Sequence, residues 1–254
     1  MVYALDGTNG SALWTARFKP GAKRGEATGN GGAAAFTPVI LKGAAGLANV
    51  LVAFDGGVRA LDGATGREVW RTMLQNRPTS GIAADIDGDG RTEILIAEDD
   101  SPNLAILNEA GKFITEVKLD AAVVGAPVPF AMQAQRGIMM ALENGLVEMR
   151  NVNGERLRAV RLDTKPTTPL LVVQGAQGPT GLLGVEGNLI ALDLKDANLK
   201  PIGRVSTEED SPRGVLMSVD LDGDGNQEVV MITRQGRAVV INAMDVNIKW
   251  FAGG

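Results

Sequence analysis

The chain has 254 residues, a formal net charge of −5, and neither cysteine nor histidine. Disulfides, thiolate metal sites, cysteine nucleophiles and the usual imidazole base are therefore excluded, and an acidic balance does not suit a nucleic-acid surface. With 44% hydrophobic residues and no run of 18 apolar residues, the composition is that of a globular chain with a sizeable core and no membrane-inserting helix.

The first residues, Met1 to Gly7, lack the basic and apolar regions of a signal peptide. Two strands are predicted next, Val2 to Leu5 and Ala12 to Phe18. They form a half-blade over 1–18, followed by a glycine-rich linker over 19–35 that carries Lys23 and Arg24. A small residue, then Pro or Gly, then an apolar residue recurs beyond it, with Pro38, Gly81, Pro127, Pro169 and Gly214 in the middle. The steps are 43, 46, 42 and 45 residues. A period of about 45 residues built from short strands and turns is that of four-stranded propeller blades. Full units are predicted at about 36–75, 81–120, 126–162, 168–206 and 213–254, all within a single domain over 1–254.

In the unit from 81 the strands read Ile82 to Asp85, Glu93 to Ala97, Leu104 to Leu107 and Phe113 to Leu119, with turn residues between them. Second strands such as Gly137 to Leu142 are continuous apolar runs, as expected of sheets packed on both faces. The predicted fold is all-β, a β-propeller of about five and a half blades in this chain. A β-sandwich has no reason to repeat at a fixed length. Because a half-blade leaves an open edge, the expectation is part of a larger, seven- or eight-bladed propeller, or one completed by another chain.

One nine-residue stretch occurs twice, 135 residues apart: Asp85-Ile86-Asp87-Gly88-Asp89-Gly90-Arg91-Thr92-Glu93 and Asp220-Leu221-Asp222-Gly223-Asp224-Gly225-Asn226-Gln227-Glu228. Each has carboxylates at positions 1, 3, 5 and 9 and glycines at 4 and 6. Acids this close repel one another unless a cation sits among them, and hard oxygens on a glycine-kinked loop suit Ca²⁺. An EF-hand is excluded, since position 12 is Ile96 or Met231. Two bound Ca²⁺ would bring the net charge to about −1. The corresponding loops of the other units have lost their acids, so Ca²⁺ is expected to be a local staple of two blades and not a catalytic ion.

A second motif lies in the turns between third and fourth strands. Ala60 to Trp70 reads Ala-x-Asp-x-x-Thr-Gly-Arg-x-x-Trp; Ala4 to Trp14 matches with Asn9 and Ser11 substituted; Ala105 to Ile114 is a degenerate copy. Asp and Thr satisfy such a turn, Gly takes its left-handed position and Trp packs between blades. This motif resembles the tryptophan-docking repeat of pyrroloquinoline-quinone-type (quinoprotein-like) propellers. No vicinal cysteines or aromatic cluster accompany it, so the resemblance implies a scaffold and not the quinone chemistry.

The aspartate loops resemble the calcium loops of FG-GAP and VCBS repeats, the family of the integrin α-chain propeller. That resemblance implies two Ca²⁺ sites, with ligands Asp85, Asp87, Asp89, Glu93 and the carbonyl of Arg91 in one. In the other they are Asp220, Asp222, Asp224, Glu228 and the carbonyl of Asn226.

In an up-and-down meander these loops and the Thr-Gly turns share one end of the blades. The opposite end carries Asp55-Gly56-Gly57, Glu98-Asp99-Asp100, Glu143-Asn144-Gly145, Glu186-Gly187-Asn188 and Arg234-Gln235-Gly236, a largely acidic ring read as a solvated hairpin rim, with a surface for a basic partner or a second cation as the alternative. No nucleophile constellation, phosphate loop or Gly-x-Ser-x-Gly elbow is present. The reading is a calcium-stabilised, non-catalytic binding or scaffold module for a protein or polysaccharide partner, with an extracellular or cell-envelope (periplasmic) setting implied by the calcium loops. The alternative is a propeller enzyme, a carbohydrate-active lyase or hydrolase or a quinoprotein dehydrogenase, whose site is completed by further sequence.

Overall fold

The computed structural model describes residues 1–18, 36–42, 48–54, 56–99, 102–132, 135–176, 178–208 and 210–252. The predicted linker over 19–35 lies outside the described residues. Strands β1 (Val2–Leu5) and β2 (Ala12–Ala16) pair alone, and five four-stranded antiparallel meanders follow. They are β3 (Val39–Lys42), β4 (Ala48–Phe54), β5 (Gly57–Asp62) and β6 (Glu68–Met73); then β7 (Pro78–Ala84), β8 (Glu93–Glu98), β9 (Asn103–Leu107) and β10 (Phe113–Lys118). The third comprises β11 (Val128–Met132), β12 (Gln135–Ala141), β13 (Leu146–Arg150) and β14 (Arg156–Arg161). The last two are β15 (Leu171–Gly175), β16 (Gly178–Val185), β17 (Asn188–Asp193) and β18 (Pro201–Ser206), and β19 (Pro212–Val219), β20 (Glu228–Thr233), β21 (Ala238–Asn242) and β22 (Asn247–Ala252). These sheets are the blades that the repeat predicts.

The chain divides into two compact units. One comprises Met1–Leu119 with Val152–Gly154; the other comprises Asp120–Asn151 with Glu155–Gly254. Within each, the middle strands are the core because they carry apolar residues on both faces. Strand β9 is buried throughout, as are β8 and β13. In the first unit Leu51, Val58 and Leu74 pack against Ile94, Ile96 and Leu107 of the next sheet. In the second unit Met139, Val147 and Met149 meet Leu183, Ile190 and Leu192, and Leu182 and Leu189 meet Val229, Met231 and Val239.

Fourth strands share one irregularity, a β-bulge that inserts an extra residue near the turn from the third strand. The extra residues are Leu13, Val69, Ile114, Leu157, Ile202 and Lys249, five aliphatic and one cationic. After the first two bulges the next residue, Trp14 or Trp70, faces the following sheet. Trp14 Nε1 donates to Gly63 O at 2.8 Å, and a methyl on Gly66 would lie 2.5 Å from the Trp14 ring. Trp70 lies likewise on Gly111, and Thr72 Oγ1 donates to Gly111 O at 2.5 Å. Both glycines have positive φ, 70° and 74°, so the turn and the close approach each require the missing side chain.

In the degenerate copy the bulge shifts the register by one: Ile114 is the extra residue and Thr115 holds the tryptophan position. In the second unit the position passes to Arg158, whose Nη1 donates to Leu194 O at 2.9 Å and so reproduces the indole contact with a guanidinium. Gly203 holds it in β18. A cleft of about 530 Å³ opens there, lined by Ile202, Gly203, Thr180, Met244 and Val246. Val246 occupies the glycine position of the facing turn at φ 58°, a costly conformation for a β-branched residue.

Candidate metal loops

Both nine-residue stretches connect a first to a second strand, β7 to β8 and β19 to β20. They adopt one hydrogen-bond pattern. Asp85 accepts from Gly88 N at 2.6 Å and Gly90 N at 3.1 Å; Asp220 accepts from Gly223 N at 2.7 Å and Gly225 N at 3.1 Å. The four glycines stand at φ between 77° and 86°, which lets the chain fold around the first carboxylate. The ninth-position glutamate turns back beneath the loop: Glu93 Oε2 accepts from Ile86 N at 2.9 Å and Glu228 Oε2 from Leu221 N at 3.0 Å.

Carboxylate oxygens of Asp85, Asp87 and Glu93 lie within 4.8 Å of one another, and so do those of Asp220, Asp222 and Glu228. Asp89 and Asp224 do not join these trios. Their carboxylates accept from Arg91 N and Asn226 N, each at 2.7 Å. The backbone carbonyls of Arg91 and Asn226 carry no described hydrogen bond.

The two loops differ in their cation. Glu228 is 1% exposed, and Lys249, the bulge residue of β22, sets its ammonium 2.7 Å from Glu228 Oε1 and 2.8 Å from Asp222 Oδ2. That ammonium holds the Asp222 carboxyl below its ordinary range and is itself pushed up. Glu93 is 4% exposed, and among the described residues no lysine or arginine pairs with it or with Asp85 or Asp87. Burial pushes its carboxyl up, and the charges of Asp87, Asp89 and Asp85 add to the shift. At the register of Lys249, β10 offers Ile114. The first loop therefore gathers three carboxylates around a space with no cation from the described residues, a donor set that fits a hard divalent ion. The second carries a tethered ammonium already.

Neither Lys249 nor Arg158 is flagged by sequence patterns alone. The only signal at Lys249 is a charge directly before a tryptophan, where the other repeats have aliphatic residues. Of the predicted rim acids, Glu98 is no rim residue: it is 1% exposed, accepting from Asn76 N at 2.7 Å and Asn103 Nδ2 at 3.1 Å. Glu143 and Glu186 are exposed.

Repeated four-stranded meanders, joined by tryptophan on glycine turns, define a propeller of the pyrroloquinoline-quinone repeat class. A family profile described as outer membrane protein assembly factor BamB matches residues 54–252, and the chain belongs to that family. No curated protein sequence matches it.

Among solved structures, BamB from Moraxella catarrhalis superposes with a TM-score of 0.65 at 16% identity, over 96% of this chain and 65% of that one. The V. cholerae biofilm matrix protein Bap1 gives 0.66 at 18%, over 95% of this chain and 42% of that one. BBS1N, in a structure of its complex with ARL6DN, gives 0.61 at 15%, over 79% and 59%. The chain thus spans less than two thirds of the length of each of these, and at these identities the likeness is one of fold.

Proposed function

We propose that this chain is a calcium-stabilised, non-catalytic binding and scaffold module of a cell-envelope or secreted protein. Membership of a family described as an assembly factor of outer membrane proteins supports the scaffold role and the envelope setting. The observation that carries the calcium reading is the buried Glu93 beside Asp85 and Asp87, with no lysine or arginine among the described residues to meet them. Asp85, Asp87 and Glu93 would hold the ion, with the carbonyl of Arg91 and, after a small turn of its side chain, Asp89. The ion supplies charge neutralisation and a clip between β7 and β8. Asp220, Asp222, Asp224, Glu228 and the carbonyl of Asn226 form the second site, where calcium has to displace the Lys249 ammonium and so binds more weakly.

Calcium at one hundred times its dissociation constant stabilises a one-site protein by about 2.7 kcal/mol, roughly 5–10 °C in melting temperature for a chain this size. Thermal melting in chelator should therefore fall by that order and recover on adding Ca²⁺. Asp87→Ala should abolish the response of the tighter site in calorimetric titration. Lys249→Met should lower the melting temperature in chelator, because Glu228 is left buried without a cation, and raise calcium affinity at the second loop. Melting that ignores chelator, with no heat of calcium binding, rules the metal out. Reduction of a dye on addition of pyrroloquinoline quinone, or cleavage of any polysaccharide in a screen, would replace the scaffold by the enzyme reading.

A further inference from the structure

Of the residues that follow the bulges, Trp14, Trp70, Thr115, Arg158 and Trp250 carry a side chain, and Gly203 in β18 does not. A methyl on Gly203 would meet one described atom within 4 Å, Ala191 Cβ at 3.7 Å, so the space beside it is open. Its backbone does not require glycine, because its φ, unlike those of Gly66 and Gly111, is not positive.

Two clefts flank β18 within the second unit, and Gly203 lines both. The first, of about 470 Å³, lies between β18 and the end of β14, along Leu162, Ile190 and Pro201. The second is the cleft of about 530 Å³ toward the turn Met244 to Asn247. Ile202, the bulge residue beside Gly203, is 46% exposed.

The two clefts differ in chemistry. Arg161 and Arg204 stand at the first, against the single carboxylate of Asp163. Arg161 Nη1 donates to Asn144 O at 2.9 Å and Arg204 Nη2 to Asp163 Oδ1 at 2.9 Å. Each guanidinium has further N–H donors, which make no other hydrogen bond among the described residues. Leu162 and Ile190 beneath them are 8% and 3% exposed and form an apolar floor. On a chain of net charge −5 this is a cationic cleft, and guanidinium forks over an apolar floor suit a carboxylate. The second cleft is walled by Ile202, Met244 and Val246. It opens at the contact that Trp14 and Trp70 fill with indoles in the first unit, so it suits an aromatic side chain.

We propose that the second unit docks an extended, acidic segment of a partner polypeptide across β18. One carboxylate side chain enters the arginine cleft, and an aromatic side chain enters the cleft beyond Gly203. The proposal rests on the binding-module reading above and names its surface. A polypeptide is the occupant because the anion site and the apolar site lie on either side of one strand. Whatever fills both must cross that strand, and an extended chain presents side chains on one face every 6–7 Å or so, about two residues. Charge complementarity makes the segment acidic, since the arginine cleft repels a basic one.

Fluorescence anisotropy of dye-labelled, end-blocked peptides of about seven residues tests this on the full chain. Each peptide carries one aspartate and one tryptophan, separated by two, three or four positions, and is titrated to about 1 mM protein. At least one spacing should bind. Changing its aspartate to asparagine or its tryptophan to alanine should weaken binding at least about fivefold. Arg161→Gln and Arg204→Gln should each do the same and flatten the salt dependence. Gly203→Leu should fill the space and block binding without lowering the melting temperature, so lost binding is not lost fold. Arg71→Gln, at an exposed arginine of the first unit, should leave binding unchanged. The proposal is overturned if no spacing binds, if the asparagine peptide binds equally, or if the double variant Arg161→Gln, Arg204→Gln binds as well as the wild type. An equal loss in Arg71→Gln, showing unspecific charge attraction, also overturns it. Competition by sodium acetate at the peptide's own concentration does so too, because the site then takes a free anion. Chelator-dependent melting involves neither cleft, so the same samples separate failure of this surface from failure of the calcium reading.

Discussion

Replacing Glu148 by alanine is expected to destabilise the second unit by about 3–5 kcal/mol, the range for breaking a buried ion pair by removing one partner. Glu148 sits at the centre of β13, 0% exposed, on a strand buried along its whole length. Its Oε1 takes a 2.7 Å bond from Arg150 Nε and its Oε2 a 2.6 Å bond from Arg156 Nε. Arg156 in turn reaches Asp120 at 3.1 Å. Arg156 is nearly half exposed and can turn to water. Arg150 is 7% exposed and cannot, so truncation takes a carboxylate away from a guanidinium held in the core. Glu148→Gln keeps the shape and one acceptor oxygen and should cost about half as much, in line with 1.5–3 kcal/mol for hydrogen bonds to charged groups. Denaturation followed by tryptophan fluorescence measures both. A loss below about 1 kcal/mol for the alanine variant would show that the arginines find equal partners elsewhere.

The first and second strands explain how far this fold can be read from its sequence. The marker at the first strands recurs at nearly constant spacing and the second strands are apolar runs between turns, so blade number and strand order are local information, and the structure agrees with both. The carboxylate loops are local too, nine residues each, and the trios Asp85, Asp87, Glu93 and Asp220, Asp222, Glu228 come together within single loops. What escapes a linear reading is what strand register brings in. Lys249 lies 21 residues beyond Glu228 and reaches it because β20, β21 and β22 are consecutive and β22 carries a bulge there. Arg158 does the work of a tryptophan through one hydrogen bond to a turn 36 residues away. Glu98 looks like a hairpin acid until the fold closes Asn76 and Asn103 over it. In each case the residue type misleads because the partner is supplied by another strand or turn.

Trp70→Ala should cost about 3 kcal/mol, the lower end of the range for large aromatic truncations, because the ring is half-buried between β6 and the turn that carries Gly111. Its loss removes the cover from that turn and leaves a void that the rigid sheets on either side cannot close. Gly111→Ala attacks the same contact from the other side. The methyl would drive into the Trp70 ring and also force alanine to a φ of 74°, so overpacking of about 1–3 kcal/mol adds to a left-handed penalty of about 1–2 kcal/mol. At Gly10 the backbone is nearly identical, with φ 73°, but no ring lies over it. Gly10→Ala should therefore show the backbone penalty alone. The difference between the two glycine variants isolates the packing part of the docking contact, and in the double variant Trp70→Ala, Gly111→Ala that part should vanish. Equal losses at Gly10 and Gly111 would mean that the turn conformation, and not the tryptophan, holds neighbouring sheets together.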